Sequence, residues 1–247
     1  MRWNKWKNDR AVTIKREIKD AIRKVRPDVK ILSYSSAVSY RYGSGNMQDH
    51  NESYVDFTGI EFMPRAFFAA YPACLIDMKT NLSFARPLDH PTWIIPYIPG
   101  SPNSTAFAEA ICTMGLHIPW YMIADTKILE ETARFKYRLD AKNSNIHTRL
   151  AVLYSKQDWF GSFDSDFYFK NYFGSLDLLR RHNIQHEVIS TLDLTPERLS
   201  RFSVLMLVSG KCLSAEQVEV IEDFVKNGGT VLLDGESSLY DKNGRRL

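Results

Sequence analysis

The residues of this sequence whose types and spacing could do chemistry are acids and aromatics at the ends of apolar runs. Glu61 follows Asp56-Phe-Thr-Gly-Ile60, so a strand there ends in a carboxyl group able to give or take a proton. The plainer role for Glu61 is an ion pair with Arg65 or Arg41. Asp49, His50 and Glu52 crowd one polar loop, but their spacing matches no structured ligand pattern. A solvated loop is the better reading, and no metal is expected. Asp125 stands just before Thr126, where it either contacts a bound hydroxyl or caps a helix, capping being the commoner use. Trp93, Tyr97, Trp120 and Tyr121 sit in apolar runs and offer flat faces for stacking, although aromatics alternating in strands more often serve a core. Cys212 lies in Gly210-Lys-Cys-Leu-Ser214, a helix entrance without the glycine-flanked elbow of a nucleophilic cysteine. Ser155-Lys-Gln-Asp-Trp-Phe-Gly161 has one glycine where a dinucleotide loop needs three, so no cofactor is expected.

These residues must be positioned by alternating helices and strands. An amphipathic helix is expected over 10–26, with Ala11, Ile14, Ile18, Ala21, Ile22 and Val25 on one stripe and Pro27 as its stop. Strands are expected over 28–34, 54–62, 92–98 and 117–123, with helices over 65–80, 105–114 and 126–139 between and after them. His117 falls near the start of the last strand, on the side that serves stability. Such alternation calls for a parallel sheet with crossover helices, and long polar loops after the strands are how a (β/α)₈ barrel builds its active face. Four strands cannot close that barrel, so its first half is expected upstream.

Residues 140–147 read as a turn-rich linker. Beyond it the rhythm tightens: a buried strand at 150–154, then a helix over 166–182 with Phe169, Tyr172, Phe173, Leu176 and Leu179 inward. A short strand follows at 188–189, and Thr195 caps a helix opened by Pro196. Val204–Val208 reads as a strand buried on both faces. Ser214-Ala-Glu-Gln217 is a capping box, and Asn227-Gly228-Gly229 a left-handed stop before the strand at 230–234. The fold class is therefore α/β: a partial (β/α)₈ barrel of late strands, then a flavodoxin-like doubly wound domain.

Composition narrows the partners. The 32 Lys and Arg against 29 Asp and Glu leave a net charge of +3, too balanced for a nucleic-acid partner. The basic residues of the first thirty positions alternate with Asp9, Glu17, Asp20 and Asp28, as on a solvated helix face. Cys74, Cys112 and Cys212 are too widely spaced for a disulfide framework and read as free thiols. No apolar run is long enough for a membrane span, and no apolar stretch follows Met1-Arg-Trp-Asn-Lys-Trp-Lys7 as a secretory signal requires. A cytoplasmic location is expected if Met1 is the true start.

The second half resembles the β-galactosidase trimerisation domain of family-42 glycosidases and their relatives. The resemblance is carried by Leu150–Tyr154, Val204–Val208, Cys212-Leu-Ser-Ala-Glu-Gln-Val218 and Phe224-Val-Lys-Asn-Gly-Gly-Thr-Val231. That domain has the class I glutamine amidotransferase fold without its catalysis. The first 139 residues are similar to strands five to eight of the barrel in the same proteins: Arg26-Pro-Asp-Val-Lys30 before one strand, then Tyr54–Glu61, Trp93–Ile98 and Leu116–Ile123. The resemblance implies domains at 1–139 and 148–247 and a glycoside hydrolase working with two carboxylic acids. It implies a carbohydrate substrate met by Glu61 as catalytic candidate, with Asp49, His50, Trp93, Tyr97, Trp120 and Asp125 as binding candidates. It also implies a homo-oligomer, a trimer in the family's manner being one form; the contact expected from the residues themselves is the apolar face of Trp159, Phe160, Phe163, Phe167 and Tyr168, with ordinary core under a loop as the alternative. The sequence departs from the family at a decisive place. The family's nucleophile is a Glu ending strand seven, and Trp93–Gly100 contains no acid. The family's acid/base ends strand four, which would precede Met1. Such a chain is expected to be inactive alone, and the alternative is a non-enzymatic α/β module for oligomerisation or small-molecule binding.

Overall fold

In the computed structural model of this chain the described residues are 2–36, 55–62, 76, 79, 80, 83, 92–96, 130, 148–155, 158, 165–234, 237, 239, 240 and 246. The chain divides into two compact units, Asp9–Asn81 with Ala85–Ile146, and His147–Leu247 with Met1–Asn8 and Leu82–Phe84.

The first helix, α1 (Arg2–Val25), begins well before the expected residue 10. It stops where Pro27 forbids continuation, the Arg26 N–H making the last helical bond to the Ile22 carbonyl at 2.7 Å. Its expected buried stripe is corrected: Ile14, Ile18 and Val25 are exposed, so among the described residues no core covers them. Three strands follow, β1 (Leu32–Ser36), β2 (Phe57–Phe62) and β3 (Thr92–Pro96). They form a parallel sheet in chain order. β1 starts four residues later than expected because residues 27–28 turn, Arg26 pairing with Asp28 at 2.9 Å. Residues 76, 79, 80 and 83 are helical, within and just past the expected 65–80 span. The elements expected at 105–114 and 117–123, and the linker, lie outside the described residues, as does 126–139 except for helical Glu130.

The second sheet contains β4 (Leu150–Tyr154), β5 (Glu187–Ser190), β6 (Val204–Leu207) and β7 (Thr230–Leu233), all parallel, in the order β5-β4-β6-β7. The strand that comes first in this sheet therefore stands inside it, and the order reverses between β4 and β6. One face buries Ala151, Leu153, Ile189, Leu205 and Leu207 with Leu199, Phe202 and Leu213. Helix α4 (Ala215–Lys226) lays Val218, Ile221 and Phe224 on this cluster. On the other face Tyr154 meets Tyr172 of α2 (Ser165–Arg181) edge-on, ring centres 5.4 Å apart. Tyr172, Leu176 and Leu179 are buried as expected, whereas Phe173 is half-buried. β6 is corrected in the same way: Leu205 and Leu207 are buried, Val204 and Met206 only partly.

The helix ends follow their local chemistry. Ser214 accepts from the Gln217 N–H while the Gln217 side chain takes the Ser214 N–H, closing the expected capping box. At the far end the Gly228 N–H bonds to the Val225 carbonyl and the Gly229 N–H to the Phe224 carbonyl, both at 2.9 Å. With Gly228 at φ +93° this is a Schellman stop. α2 ends by the same device with Asn183 at φ 53°, the Ile184 N–H reaching the Leu179 carbonyl at 2.8 Å. Thr195 caps the four-residue α3 (Pro196–Leu199), whose Arg198 pairs with buried Glu187 and with Asp193. A buried carboxylate needs such a partner.

Candidate functional site

Parallel strands present their ligand-facing residues at their C-terminal ends, so the C-terminal rims of the two sheets are where a site belongs. In the first sheet Glu61 is the penultimate residue of β2, level with Ser36 at the end of β1 and Ile95 near the end of β3. The backbone thus puts Glu61 on the rim rung. Trp93 stands level with Gly59, two rungs nearer the N-terminal edge. Tyr97, Trp120, Asp125, Asp49 and His50 lie outside the described residues, as do Trp159, Phe160 and Phe163.

What holds the Glu61 rung is a clamp at the opposite end of β2, and the sequence reading had missed it. Asp56 Oδ2 accepts the Ile31 N–H at 2.8 Å and pairs with Arg23 of α1 at 2.6 Å. The Asp56 N–H returns a bond to the Ile31 carbonyl at 2.8 Å. A one-residue slip of β2 against β1 would break all three contacts, so the clamp fixes the register. Partial burial pulls the Asp56 pKa up, but the Ile31 N–H and the Arg23 charge outweigh it and hold the carboxyl below its usual range.

In the second sheet the rim gathers polar residues at the reversal between β4 and β6, the place where doubly wound sheets bind ligands. Asp158, just beyond β4, is 1 % exposed, and its Oδ1 accepts the N–H groups of Lys211 and Cys212 at 2.9 and 3.0 Å. Ser155 Oγ accepts the Asp158 N–H at 3.3 Å. Burial dominates the Asp158 carboxyl and pushes its pKa up to about 6, against the opposing bonds from Ser155, Cys212 and Lys211. Beyond β6, Ser209 sits at φ 49°, and its N–H and hydroxyl both donate to Asp234 Oδ2. Asn171 donates to Ser209 Oγ at 2.9 Å. A groove of about 470 Å³ runs beside this network between α2 and β6–β7, floored by Met206 and Leu232. Sequence reasoning passed over Asp158 because an isolated acid after a strand carries no local signal of burial.

Cys212 is buried two residues before the α4 cap, confirming its place at a helix entrance. The side chain that meets it is the acid Asp158 rather than a histidine. Among the described residues no cluster of three His, Cys, Asp or Glu could hold a metal ion, and no helix is long and apolar enough to cross a membrane.

Residues 161–247 match the family described as "GLMA-like, second domain". No curated protein matches the chain. Among solved structures it is similar to the β-galactosidase from Bacillus circulans sp. alkalophilus, with a TM-score of 0.72 at 14% identity, over 97% of this chain and 40% of that one. It is similar to Gan42B, a GH42 β-galactosidase from G. stearothermophilus, with a TM-score of 0.70 at 15% identity, over 99% and 42%. It is also similar to the GH42 exo-carrageenase from Bacteroides ovatus, with a TM-score of 0.72 at 12% identity, over 99% and 40%. The chain thus spans about two fifths of the length of these proteins. At such identities the likeness is one of fold, and it bears out the α/β class with late barrel strands followed by a flavodoxin-like sheet. The family resemblance read in the second half stands with it.

Proposed function

We propose that this chain is part of a glycoside hydrolase of the GH42 type. In this reading 1–139 supply late barrel strands, 140–147 link, and 148–247 serve assembly. The observation that carries it is the continuous fold match across both sheets, with Glu61 on the C-terminal rung of β2. Glu61 then meets a carbohydrate as acid, base or hydroxyl ligand, helped by Trp93, Tyr97, Trp120 and Asp125, with Asp49 and His50 in the loop after β1. The fold is shared by a β-galactosidase and an exo-carrageenase, which supports carbohydrate as the substrate class and leaves the sugar to the side chains. A barrel with only its late strands does not align two carboxyl groups across a glycosidic bond, and the 247-residue chain by itself is expected not to hydrolyse glycosides. The test is saturation-transfer NMR with galactose and galactobiose on the full chain and on Glu61→Gln. Binding that the substitution weakens at least tenfold supports the reading, and equal binding by both proteins removes Glu61 from it.

A second reading, an assembly module without catalysis, is favoured by one observation. Among the described residues β7 is the edge of its sheet, and Leu232 and Leu233 are 48% and 62% exposed there, apolar surface of the kind partners cover. It expects sugar-indifferent homo-oligomers, trimers among them, dispersed by Trp159→Ala with Phe163→Ala in sedimentation velocity, Phe160 lying in the same stretch. If neither Glu61→Gln nor the double substitution changes anything, both readings fail.

A further inference from the structure

Helix α1 has an apolar face that neither reading occupies. Ala11, Ile14, Ile18, Ala21 and Val25 recur at alternating spacings of three and four, the a and d positions of a coiled-coil seam. Ile14, Ile18, Ala21 and Val25 are exposed, Ile14 and Ile18 at 47% and 53%. The neighbouring side of the helix, Val12, Lys15, Lys19, Ile22 and Arg23, is half-buried, and from it Arg23 reaches Asp56. We propose that the exposed seam binds a second copy of this chain. Each α1 pairs antiparallel with the other about a two-fold axis passing between Lys19 and Asp20.

Charge complementarity selects the partner and its direction. The axis sets Ile14 of each chain opposite Val25 of the other and Ile18 opposite Ala21, so an isoleucine meets a smaller side chain in every layer. In that register the flanking g positions bring Glu17 of each chain against Lys24 of the other. Glu17 needs a cation from outside its own helix, because the residues three and four positions away are Thr13, Ile14, Asp20 and Ala21. Parallel pairing would set Arg10 against Lys15 of the other chain, like charge on like, and leave Glu17 facing Ile22. Glu17 and Lys24 are both exposed, so their pairing fixes orientation more than it adds affinity. From Ile14 to Val25 the seam is about 17 Å long at the helical rise, so a weak dimer is expected, with a dissociation constant on the order of 10–100 µM.

Sedimentation velocity of the full chain, loaded from about 10 µM to about 1 mM, reads this equilibrium directly. The wild type is expected to gain mass by a factor of two across that range. Glu17→Lys sets like charges against each other twice and should weaken association about tenfold. Glu17→Lys combined with Lys24→Glu exchanges the charges and should restore the wild-type constant. Ile18→Asp puts a carboxyl into two of the four layers and should abolish the dimer. All three sites are exposed, so circular dichroism should find these variants folded. The assembly reading expects the reverse pattern, oligomers dispersed by Trp159→Ala with Phe163→Ala and indifferent to Glu17→Lys. A chain still monomeric at the highest concentration leaves the seam to some other partner and overturns the proposal. So does association that Glu17→Lys does not weaken, or that the exchanged pair does not restore.

Discussion

The two sheets of this chain are both parallel, but they are held by different means. The β4–β7 sheet is buried by its own neighbours in sequence: α2 follows β4, α4 follows β6, and both helices end in motifs written in their own last residues. The β1–β3 sheet has the residue stretches 37–56 and 63–91 between its strands, and among the described residues its β1–β2 register is held by one acid, Asp56, meeting one arginine and one backbone amide from elsewhere. Local signals suffice where connections are short. Where they are long, a distant polar contact takes part in the aligning.

Substitutions should separate the two. The largest effect belongs to the second core. Leu153 is almost wholly buried in the cluster under α4, and Leu153→Ala is expected to cost roughly 2–5 kcal/mol in urea unfolding followed by circular dichroism. Loss of less than 1 kcal/mol would mean that the cluster is not the core it is taken for here. Next comes the clamp. Asp56→Asn removes the charge that Arg23 and the Ile31 N–H both engage, with an expected cost of roughly 1.5–3 kcal/mol. Exchange protection of β1 and β2 amides should fall, whereas that of β4 amides should not change. If β4 protection falls equally, the two sheets do not differ as claimed.

Smaller effects sharpen the contrast. Gly229→Ala puts a methyl into the Phe224 ring and should cost about 1–3 kcal/mol, measured as a fall in thermal midpoint. Ser214→Ala opens the capping box for about 1 kcal/mol, and Ser214→Asp should restore most of it. The two acids also oppose each other in pH. Asp56, held below its usual range, stabilises above that range and loses its contribution as pH falls through its lowered value. Asp158, raised to about 6, binds its proton more tightly folded than unfolded, so its contribution grows as pH falls from 6 toward 4. Acidification over that window should tighten the second sheet first, and only stronger acid should loosen the first.

Much of the second sheet was legible beforehand. β4 falls on the residues expected, the capping box and the Gly228 stop are present, and α2 is displaced by a single residue. These are local facts, because a cap is made by residues three or four apart and a buried strand announces itself as a continuous apolar run. The first unit was less so. Periodicity read Ile14, Ile18 and Val25 as core, but periodicity reports only that one face is apolar, not that anything covers it. Glu61 was placed correctly at a strand end, while the clamp that sets its rung was invisible, since its partners stand 25 and 33 residues away.

The amino-acid sequence alone therefore determined the elements, their caps, the α/β class and the resemblance to late barrel strands followed by a flavodoxin-like sheet. Tertiary structure alone decided which acids are special. Burial and the approach of distant backbone amides set the character of Asp56 and Asp158, and neither quantity is a property of the neighbouring residues in the chain.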